Sequence, residues 1–197
     1  MSEASKVYIA LFLLLLLVGC GGPPHLQTRI MAGADLKVCS IALMPLENWT
    51  QQKELPQLVG QSFASQLISS KEFSLVQDGD VGMFMLRQRL RPGTHLYQEH
   101  FAALDDQLKL DAIIQGRIVE TGTVNRRGGQ KVPFLSLYLD MYDARTGHLL
   151  LNTVHQRFGD DFRKVMHFGV LTTKSGLAVR MTQEIIEDWL DKGIRCR

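Results

Sequence analysis

The sequence lacks the motifs on which most enzymes depend. It has no glycine-rich phosphate loop, no nucleophile elbow and neither the His-x-x-x-His nor the Cys-x-x-Cys spacing of common metal sites. Its six histidines are scattered along the chain. His148 and His155 share a predicted strand but fall on opposite faces of the sheet, so they cannot bind one metal ion. We therefore expect a non-enzymatic protein without catalytic residues, metal or cofactor.

The chain also lacks a strong net charge. Its 22 basic and 20 acidic residues leave a formal charge of +2, which gives no electrostatic reason to expect binding to nucleic acid. Long apolar runs are equally scarce, because residues 11–20 form one and no second run could span a bilayer. A composition that is 45% hydrophobic and 21% charged suits one folded domain.

The single long apolar run predicts an export signal. It is too short to cross a bilayer as a helix, but it has the length of a signal-peptide core, about 7 to 15 residues. Its last four residues, Leu17-Val18-Gly19-Cys20, resemble the lipobox of bacterial lipoproteins. The resemblance implies that the signal peptide, residues 1–19, is removed. It also implies that Cys20 carries covalent lipid, including palmitate.

Acyl chains on Cys20 would hold the protein on a membrane, because each buried methylene contributes about 0.8 kcal/mol. Gly21 follows the cysteine, where Asp is the usual signal for retention at the inner membrane. We therefore expect a lipid anchor in the periplasmic leaflet of the outer membrane. Residues 20–36 predict a short tether, since they contain Gly-Gly-Pro-Pro and show no clear period. A single domain is predicted at residues 37–193, with a tail at 194–197.

Apolar periodicity predicts a domain of the α/β or α+β class. A continuous apolar run at residues 38–45 is typical of a central strand, and Pro56 suits the first turn of a helix. A short strand, two helices, three strands and a last helix at residues 173–192 follow. The three strands, expected at residues 111–121, 132–142 and 149–158, predict an antiparallel meander. We expect a three-layer-like mixed sheet with helices packed on it.

Each predicted helix carries an apolar stripe that should face the core. The residues expected on these stripes are Val59, Phe63, Leu67 and Ile68, then Met83, Phe84, Leu86 and Leu90, then Phe101, Leu104 and Leu108, and finally Ala178, Met181, Ile185 and Trp189. A loop is expected at residues 122–131. Trp49 is expected to anchor a loop rather than to stack on a ligand.

Two groups of charged residues are candidate interaction surfaces. The acidic face of the last helix comprises Glu184, Glu187, Asp188 and Asp191, and the basic loop comprises Arg126, Arg127 and Lys131. The usual interpretation of such an acidic cluster is a solvated surface. The alternatives are that the two surfaces meet between subunits, or that the acidic face attracts a cationic polymer.

Besides Cys20, the chain has two cysteines, Cys39 and Cys196. A periplasmic protein can retain a disulfide, so these two could pair and fasten the C-terminus to the first strand. The alternative is a buried Cys39 and a free Cys196. We favour this unpaired arrangement because the short tail after Gly193 is prone to fraying.

Three short stretches resemble the CsgG-type fold. Residues 38–50 follow the pattern Ile-Ala-Val-Leu-Pro-Phe-x-Asn-x-Thr, with Leu46 in place of the common Phe. Residues 111–116, Asp-Ala-Ile-Ile-Gln-Gly, resemble the Ala-Asp-x-Ile-x-x-Gly strand. Residues 137–149, with Asp-Ala-Arg-Thr-Gly at 143–147, resemble the Asp-x-x-Thr-Gly hairpin. The fold is also that of the TolB N-terminal domain, the lipoprotein activators of peptidoglycan synthases and the Pel-polysaccharide export lipoprotein, the relative closest in kind.

This resemblance implies a non-enzymatic outer-membrane lipoprotein of an envelope export or assembly machine. A short tether favours the relative that forms a homo-oligomeric ring beneath an outer-membrane channel and guides a polysaccharide to it. The expected partners are the outer membrane, further copies of the chain, a channel or other envelope proteins, and the exported polymer. The alternative is a lipoprotein module that binds and activates a peptidoglycan synthase. Such activators resemble domains on long disordered tethers.

Overall fold

The computed structural model describes residues 26–31, 33–126, 129–164 and 168–196. Several predicted features lie outside these residues. They are the signal peptide, the lipidated Cys20, the first part of the tether and Arg127. Among the described helices, none is long and apolar enough to cross a bilayer.

The described chain forms seven strands, four α-helices and one 3-10 helix. The strands are β1 (Leu26–Ile30), β2 (Ser40–Leu43), β3 (Glu47–Asn48), β4 (Ser74–Leu75), β5 (Ala112–Asn125), β6 (Lys131–Asp143) and β7 (Leu149–Phe158). The helices are α1 (Leu55–Ser70), α2 (Asp78–Arg87), α3 (Gln98–Leu108) and α4 (Lys174–Asp191), with the 3-10 helix at Gly159–Phe162.

All seven strands belong to one mixed sheet. Its order is β1-β7-β6-β5-β2-β4, and β3 also pairs with β5. β5, β6 and β7 form the predicted antiparallel meander, whereas β2 runs parallel to both β5 and β4. The predicted mixed sheet is therefore confirmed, and β2 is the buried inner strand that its apolar run indicated.

One face of the sheet is covered by α1 and α4. Alternate residues of β6 point to this covered face, and Leu135, Leu137, Leu139 and Met141 are all buried there. The α4 stripe predicted from the sequence is confirmed, since Ala178, Met181, Ile185 and Trp189 are fully buried. Trp189 packs edge-on against Phe63 of α1, with ring centroids 5.5 Å apart.

The opposite face is covered only in part. α2 and α3 pack there over β2 and the start of β5, with Phe84, Phe101 and Leu104 in a second apolar cluster. Phe101 stacks on Tyr142 of β6 at 5.0 Å. Beyond that contact the meander is only partly covered, since Val154 in the middle of β7 is 41% exposed whereas Asp140 of β6 is 9% exposed. We call this region the open sheet face.

The structure corrects the predicted tether. Leu26–Ile30 is a strand that pairs antiparallel with β7, so less chain than expected separates the domain from Cys20. Leu26, Thr28 and Ile30 alternate with the exposed Gln27 and Arg29. This pattern is the period of two that a half-buried edge strand requires.

Other sequence-based expectations are also corrected. Ile68, Met83 and Leu86 were placed on core stripes but are 61%, 49% and 73% exposed. The loop expected at residues 122–131 is shorter, because β5 extends to Asn125 and β6 begins at Lys131. The hydrogen bonds of the hairpin supply the backbone partners that a loop would have to find elsewhere.

Cys39 and Cys196 form a disulfide, with their Cα atoms 4.3 Å apart. The expectation of two unpaired cysteines is therefore corrected. The tail does not fray, because Lys37 and Arg195 form a parallel bridge and the Val38 amide donates to the Arg195 carbonyl at 3.0 Å. The backbone of the tail thus lies beside the chain that leads into β2.

Candidate functional site

The acidic face predicted on α4 is largely neutralised within the subunit. Glu184 is 15% exposed at its side chain and accepts hydrogen bonds from Arg157 at 3.0 and 3.2 Å. Asp188 pairs with Lys192 one turn later. Glu187 and Asp191 remain exposed. Only half of the predicted acidic surface is therefore available to a partner.

Glu184 also contacts His155, which is completely buried on the covered face. His155 Nε2 and Glu184 Oε2 are 2.9 Å apart. Burial raises the pKa of Glu184, but hydrogen bonds from His155 and Arg157 outweigh burial and leave that pKa below its ordinary value. The group thus stays ionised and holds α4 against β7, which is a structural role.

The basic loop predicted from the sequence also has less free charge than expected, because Arg126 is paired within the subunit. The Arg126 guanidinium lies 2.9 Å from an Asp160 carboxylate oxygen and 4.8 Å from the centre of the Phe158 ring. Lys131 is exposed at the start of β6. Among the described residues, Arg126 pairs outside the acidic face and no ion pair joins this loop to that face.

The residues that carry the family resemblance have structural roles. Asp111 accepts hydrogen bonds from the backbone amides of Cys39 and Ser40, both at 2.8 Å, and so aligns β2 with β5. Asp143 Oδ1 accepts from the Thr146 amide and hydroxyl in the turn before β7. Such side-chain caps are what Asp supplies in tight turns. The carboxylates of Asp111 and Asp143 therefore serve the fold.

A groove of about 740 Å³ lies at the carboxyl end of β2. From β2 the chain passes to α1 on one face, and from β4 it passes to α2 on the other, so this end is a topological switch point where open α/β sheets commonly bind ligands. The lining is mostly apolar, with Leu43, Leu46 and Val81, and Lys53, Asp78 and Glu47 add charges.

Beside this groove, an aromatic and cationic stack stands on the open sheet face. The Arg117 guanidinium lies 4.0 Å from the centre of the Tyr138 ring and 5.0 Å from the Trp49 ring. Register explains the first contact, because Arg117 of β5 is directly opposite Tyr138 of β6. Trp49 is 56% exposed, so its indole is available to a ligand. The expectation that Trp49 anchors a loop rather than stacks on a ligand stays a prediction.

A small polar pocket of about 30 Å³ adjoins the stack. Gln115 and Asp140, paired across β5 and β6, line it and are 7% and 9% exposed. Gln115 Oε1 accepts from the Leu96 amide at 2.8 Å, whereas Nε2 has no partner among the described residues. Asp140 Oδ1 accepts from Asn152 at 2.8 Å.

Tyr142 completes the polar group on this face. Its hydroxyl donates to Asp140 Oδ2 at 3.4 Å. Burial, followed by the negative charge of Asp140, raises the pKa of Tyr142 to about 12, so the phenol stays protonated. Among the described residues no three His, Cys, Asp or Glu side chains gather as metal ligands. The arrangement can stack an aromatic face and donate or accept hydrogen bonds.

Sequence reasoning missed the stack and the pocket. Neither Arg117 nor Tyr138 is a pattern residue of a motif, and the two meet only through the register of β5 and β6. The available signal was alternation, since Ser136, Tyr138 and Asp140 all point away from the apolar side of β6. A polar side on an inner strand indicates a face without a covering helix.

Comparison with solved structures identifies the fold. A PelC dodecamer from Paraburkholderia phytofirmans matches 84% of this chain and 98% of its own, with a TM-score of 0.55 at 8% identity. Lipoprotein GNA1162 from Neisseria meningitidis matches 78% of this chain and 99% of its own, with a TM-score of 0.55 at 15% identity. The hypothetical protein CT253 from Chlamydia trachomatis matches 77% of this chain and 95% of its own, with a TM-score of 0.52 at 14% identity.

The TM-scores establish a shared fold. At these sequence identities the similarity shows the fold alone. No protein-family model and no curated protein matches the sequence. The Pel-like part of the predicted resemblance is therefore supported at the level of fold. Membership of the CsgG and TolB N-terminal-domain family stays a prediction.

Proposed function

We propose that the protein is a non-enzymatic, lipid-anchored component of an envelope export or assembly machine. In this proposal Cys20 carries the lipid, the domain sits at the periplasmic leaflet of the outer membrane, and no cofactor is needed. The subunits form a ring that guides a polysaccharide towards an outer-membrane channel. One observation carries the proposal, namely that the chain has the fold of the PelC subunit over nearly all of that subunit's length.

The surface of the domain offers what a ring requires. A closed ring needs two different patches, one on each side of a subunit, that match each other. Met83 and Leu86 form an exposed apolar patch on α2, which we call the α2 patch. Val179 of α4, the helix on the other face of the sheet, is 44% exposed, and Phe168 in the segment before α4 is 75% exposed. We call these two residues the α4 patch. Exposed apolar residues on opposite sides support a head-to-tail contact.

The charged surfaces have a smaller part in this proposal than the sequence suggested. Glu184, Asp188 and Arg126 already have partners within the subunit. Glu187, Asp191 and Lys131 remain exposed and can modulate assembly. Exposed charges are screened beyond about 10 Å at 0.1 M salt. Assembly should therefore depend weakly on salt if the apolar patches dominate.

Native mass spectrometry of the lipidated protein in detergent tests the ring. We expect a single closed oligomer, and Leu86→Glu in the α2 patch should convert it to monomers because a charge would be buried at the contact. Ile68→Glu is the matched control, since Ile68 is equally aliphatic and 61% exposed but lies on α1 outside both patches. A wild-type protein that stays monomeric at high concentration and low salt contradicts the ring and favours the synthase-activating module.

The anchor is tested separately through Cys20. Cys20→Ser should abolish palmitate labelling and leave the signal peptide uncut, because the thiol is the site of acylation that the lipobox implies. Labelling with palmitate followed by fractionation of membranes measures both effects. Cys39→Ser serves as the control and should label normally. A Cys20→Ser protein that still labels and fractionates with the outer membrane would show the lipobox interpretation to be wrong.

A further inference from the structure

The open sheet face presents two rows of side chains that cross the strands. Register aligns Gln115, Asp140, Asn152 and Arg29 in the first row and Arg117, Tyr138, Val154 and Gln27 in the second. Successive residues on one face of a strand are about 7 Å apart, which sets the spacing of the two rows. Trp49, beside β5, borders the second row. The result is a polar surface with one exposed aromatic ring at its edge.

The aromatic ring is held in place before any ligand arrives. The Trp49 amide donates to the Ile118 carbonyl at 3.0 Å, which fixes the backbone against β5. Arg117 contacts the indole at 5.0 Å and is itself held over Tyr138 at 4.0 Å, as cations commonly are over aromatic faces. A ligand that stacks on Trp49 therefore immobilises little additional side chain, which favours binding.

The pocket beside the stack contains a buried hydrogen-bond donor that has no partner among the described residues. Gln115 is 7% exposed, and its Nε2 donates to no described residue. Leaving a buried donor unsatisfied costs about 1 to 3 kcal/mol, so a partner at this position is favoured. Across the pocket, Asp140 supplies acceptor oxygens at the same level of the sheet. The volume of about 30 Å³ accommodates a group the size of one hydroxyl.

We propose that the open sheet face is a saccharide-binding site. A pyranose ring has an apolar C–H face and a polar hydroxyl rim. The C–H face stacks on the indole of Trp49, and a hydroxyl enters the pocket, accepts from Gln115 Nε2 and donates to Asp140. This inference rests on the proposed function, because it assigns the surface that contacts the exported polysaccharide.

The chemistry of the face favours a saccharide over other occupants. Phosphate groups are disfavoured because two carboxylates, those of Asp140 and Glu47, line the pocket against the one guanidinium of Arg117. Protein interfaces also use Trp, Tyr and Arg as anchors but surround them with contacts that exclude water, whereas this stack adjoins a polar pocket lined by Gln115 and Asp140. A second copy of the chain is the remaining candidate, and the experiment below distinguishes it.

The chain contains two tryptophans, and this provides a direct measurement. Trp189 is 0% exposed and Trp49 is 56% exposed, so acrylamide quenching of the lipidated protein in detergent reports on Trp49. The probes are hexasaccharides of glucose, of N-acetylglucosamine and of glucosamine. We expect at least one of them to protect Trp49 from quenching. Failure of all three to bind, with the ring intact, overturns the site but leaves the proposed function standing.

Variants locate the binding on this face, with affinity measured by saturation-transfer NMR on the saccharide. Trp49→Ala should weaken binding about tenfold, the effect expected from losing a large stacked apolar surface. Gln115→Met should weaken it about three- to tenfold through the lost hydrogen bond. Ile68→Ala removes an exposed apolar side chain from α1, which packs on the covered face, and should change nothing. Binding that both Trp49→Ala and Gln115→Met leave unchanged overturns the inference.

The oligomeric state of Trp49→Ala separates the saccharide from a second copy of the chain. We expect this variant to keep the wild-type ring in native mass spectrometry, because the face is free for the polymer. Dissociation of the ring would show that a neighbouring subunit covers the face, which overturns the inference. A wild-type protein that is itself monomeric but binds saccharide through Trp49 would contradict the ring alone.

Discussion

Each face of the sheet carries one tryptophan, and the two tryptophans differ in burial and in contacts. Trp189 on the covered face is fully buried, packs against Phe63 and donates from Nε1 to Thr153 Oγ1 at 2.8 Å. Trp49 on the open face contacts a cation and remains more than half exposed. On the covered face, Thr153 and Glu184 have hydrogen-bonding partners within the subunit, whereas on the open face Gln115 Nε2 has no partner among the described residues. The difference supports our proposal that the covered face stabilises the domain while the open face binds a ligand.

The largest test of this contrast compares the two tryptophans. Trp189→Ala should lower the free energy of unfolding by about 3 to 5 kcal/mol, because it leaves a cavity among buried side chains. Trp49→Ala should change it by no more than about 0.5 kcal/mol, as is usual at exposed positions. Urea unfolding followed by circular dichroism measures both. Equal losses in the two variants would contradict the division between the faces.

The disulfide offers the next largest effect. Cys39 and Cys196 are separated by 157 residues, and the bond fastens the chain after α4 to the start of β2 on the covered side. Replacing both by Ser should lower the free energy of unfolding by about 2 to 4 kcal/mol, mainly because the unfolded chain gains freedom. Urea midpoints with and without reductant give the measurement.

The reductant also provides the internal control for the disulfide. Reduction should lower the stability of the wild-type protein and leave the double Ser variant unchanged. Saccharide binding on the open face should survive in both, since neither cysteine contacts that face. A wild-type protein whose stability does not respond to reductant would show that the bond does not form.

Much of the covered face was predictable because its residues repeat. The strand alternation at Leu135 to Met141 and the helical spacing of Ala178, Met181, Ile185 and Trp189 each identify a buried side without knowledge of what covers it. Helical spacing wrongly predicted that Ile68, Met83 and Leu86 are buried. The spacing identifies the apolar side of a helix, but it does not show how much of that side the neighbouring helices and strands cover. For the edge strand β1, the alternation was present, but the preceding Gly-Gly-Pro-Pro suggested a tether.

The open face could not be predicted from local patterns. Trp49, Arg117 and Tyr138 lie on three different strands or loops, and they meet only after β3 and β6 have paired with β5. The cysteines show the same limitation, since their pairing depends on the tail running beside the chain that leads into β2. Patterns among residues a few positions apart therefore do not predict contacts that depend on strand register or on pairing between distant parts of the chain.

A smaller effect concerns Glu184, which joins α4 to the meander on the covered face. Its pKa is lowered in the folded state, so the unfolded chain takes up the proton first as pH falls through the ordinary value of 4.5. The stabilisation is therefore complete above that value and is lost as pH falls further. Glu184→Gln should lower the free energy of unfolding at pH 7 by about 1 to 3 kcal/mol. The difference from wild type should shrink below pH 4.5.

The smallest expected effect on stability at pH 7 is that of Tyr142. Its pH dependence on the open face is the counterpart of that of Glu184 on the covered face. Its pKa is raised from 10.0 to about 12, so the unfolded chain loses the proton first and the stabilisation disappears as pH rises through that interval. Tyr142→Phe should change stability at pH 7 by no more than about 0.5 kcal/mol, since the hydroxyl makes one long hydrogen bond to Asp140. Above pH 10 the variant should become more stable than wild type, because it has no phenol to ionise. Urea midpoints of the two proteins between pH 7 and pH 11 test this, and parallel curves would show that Asp140 and burial do not hold the proton.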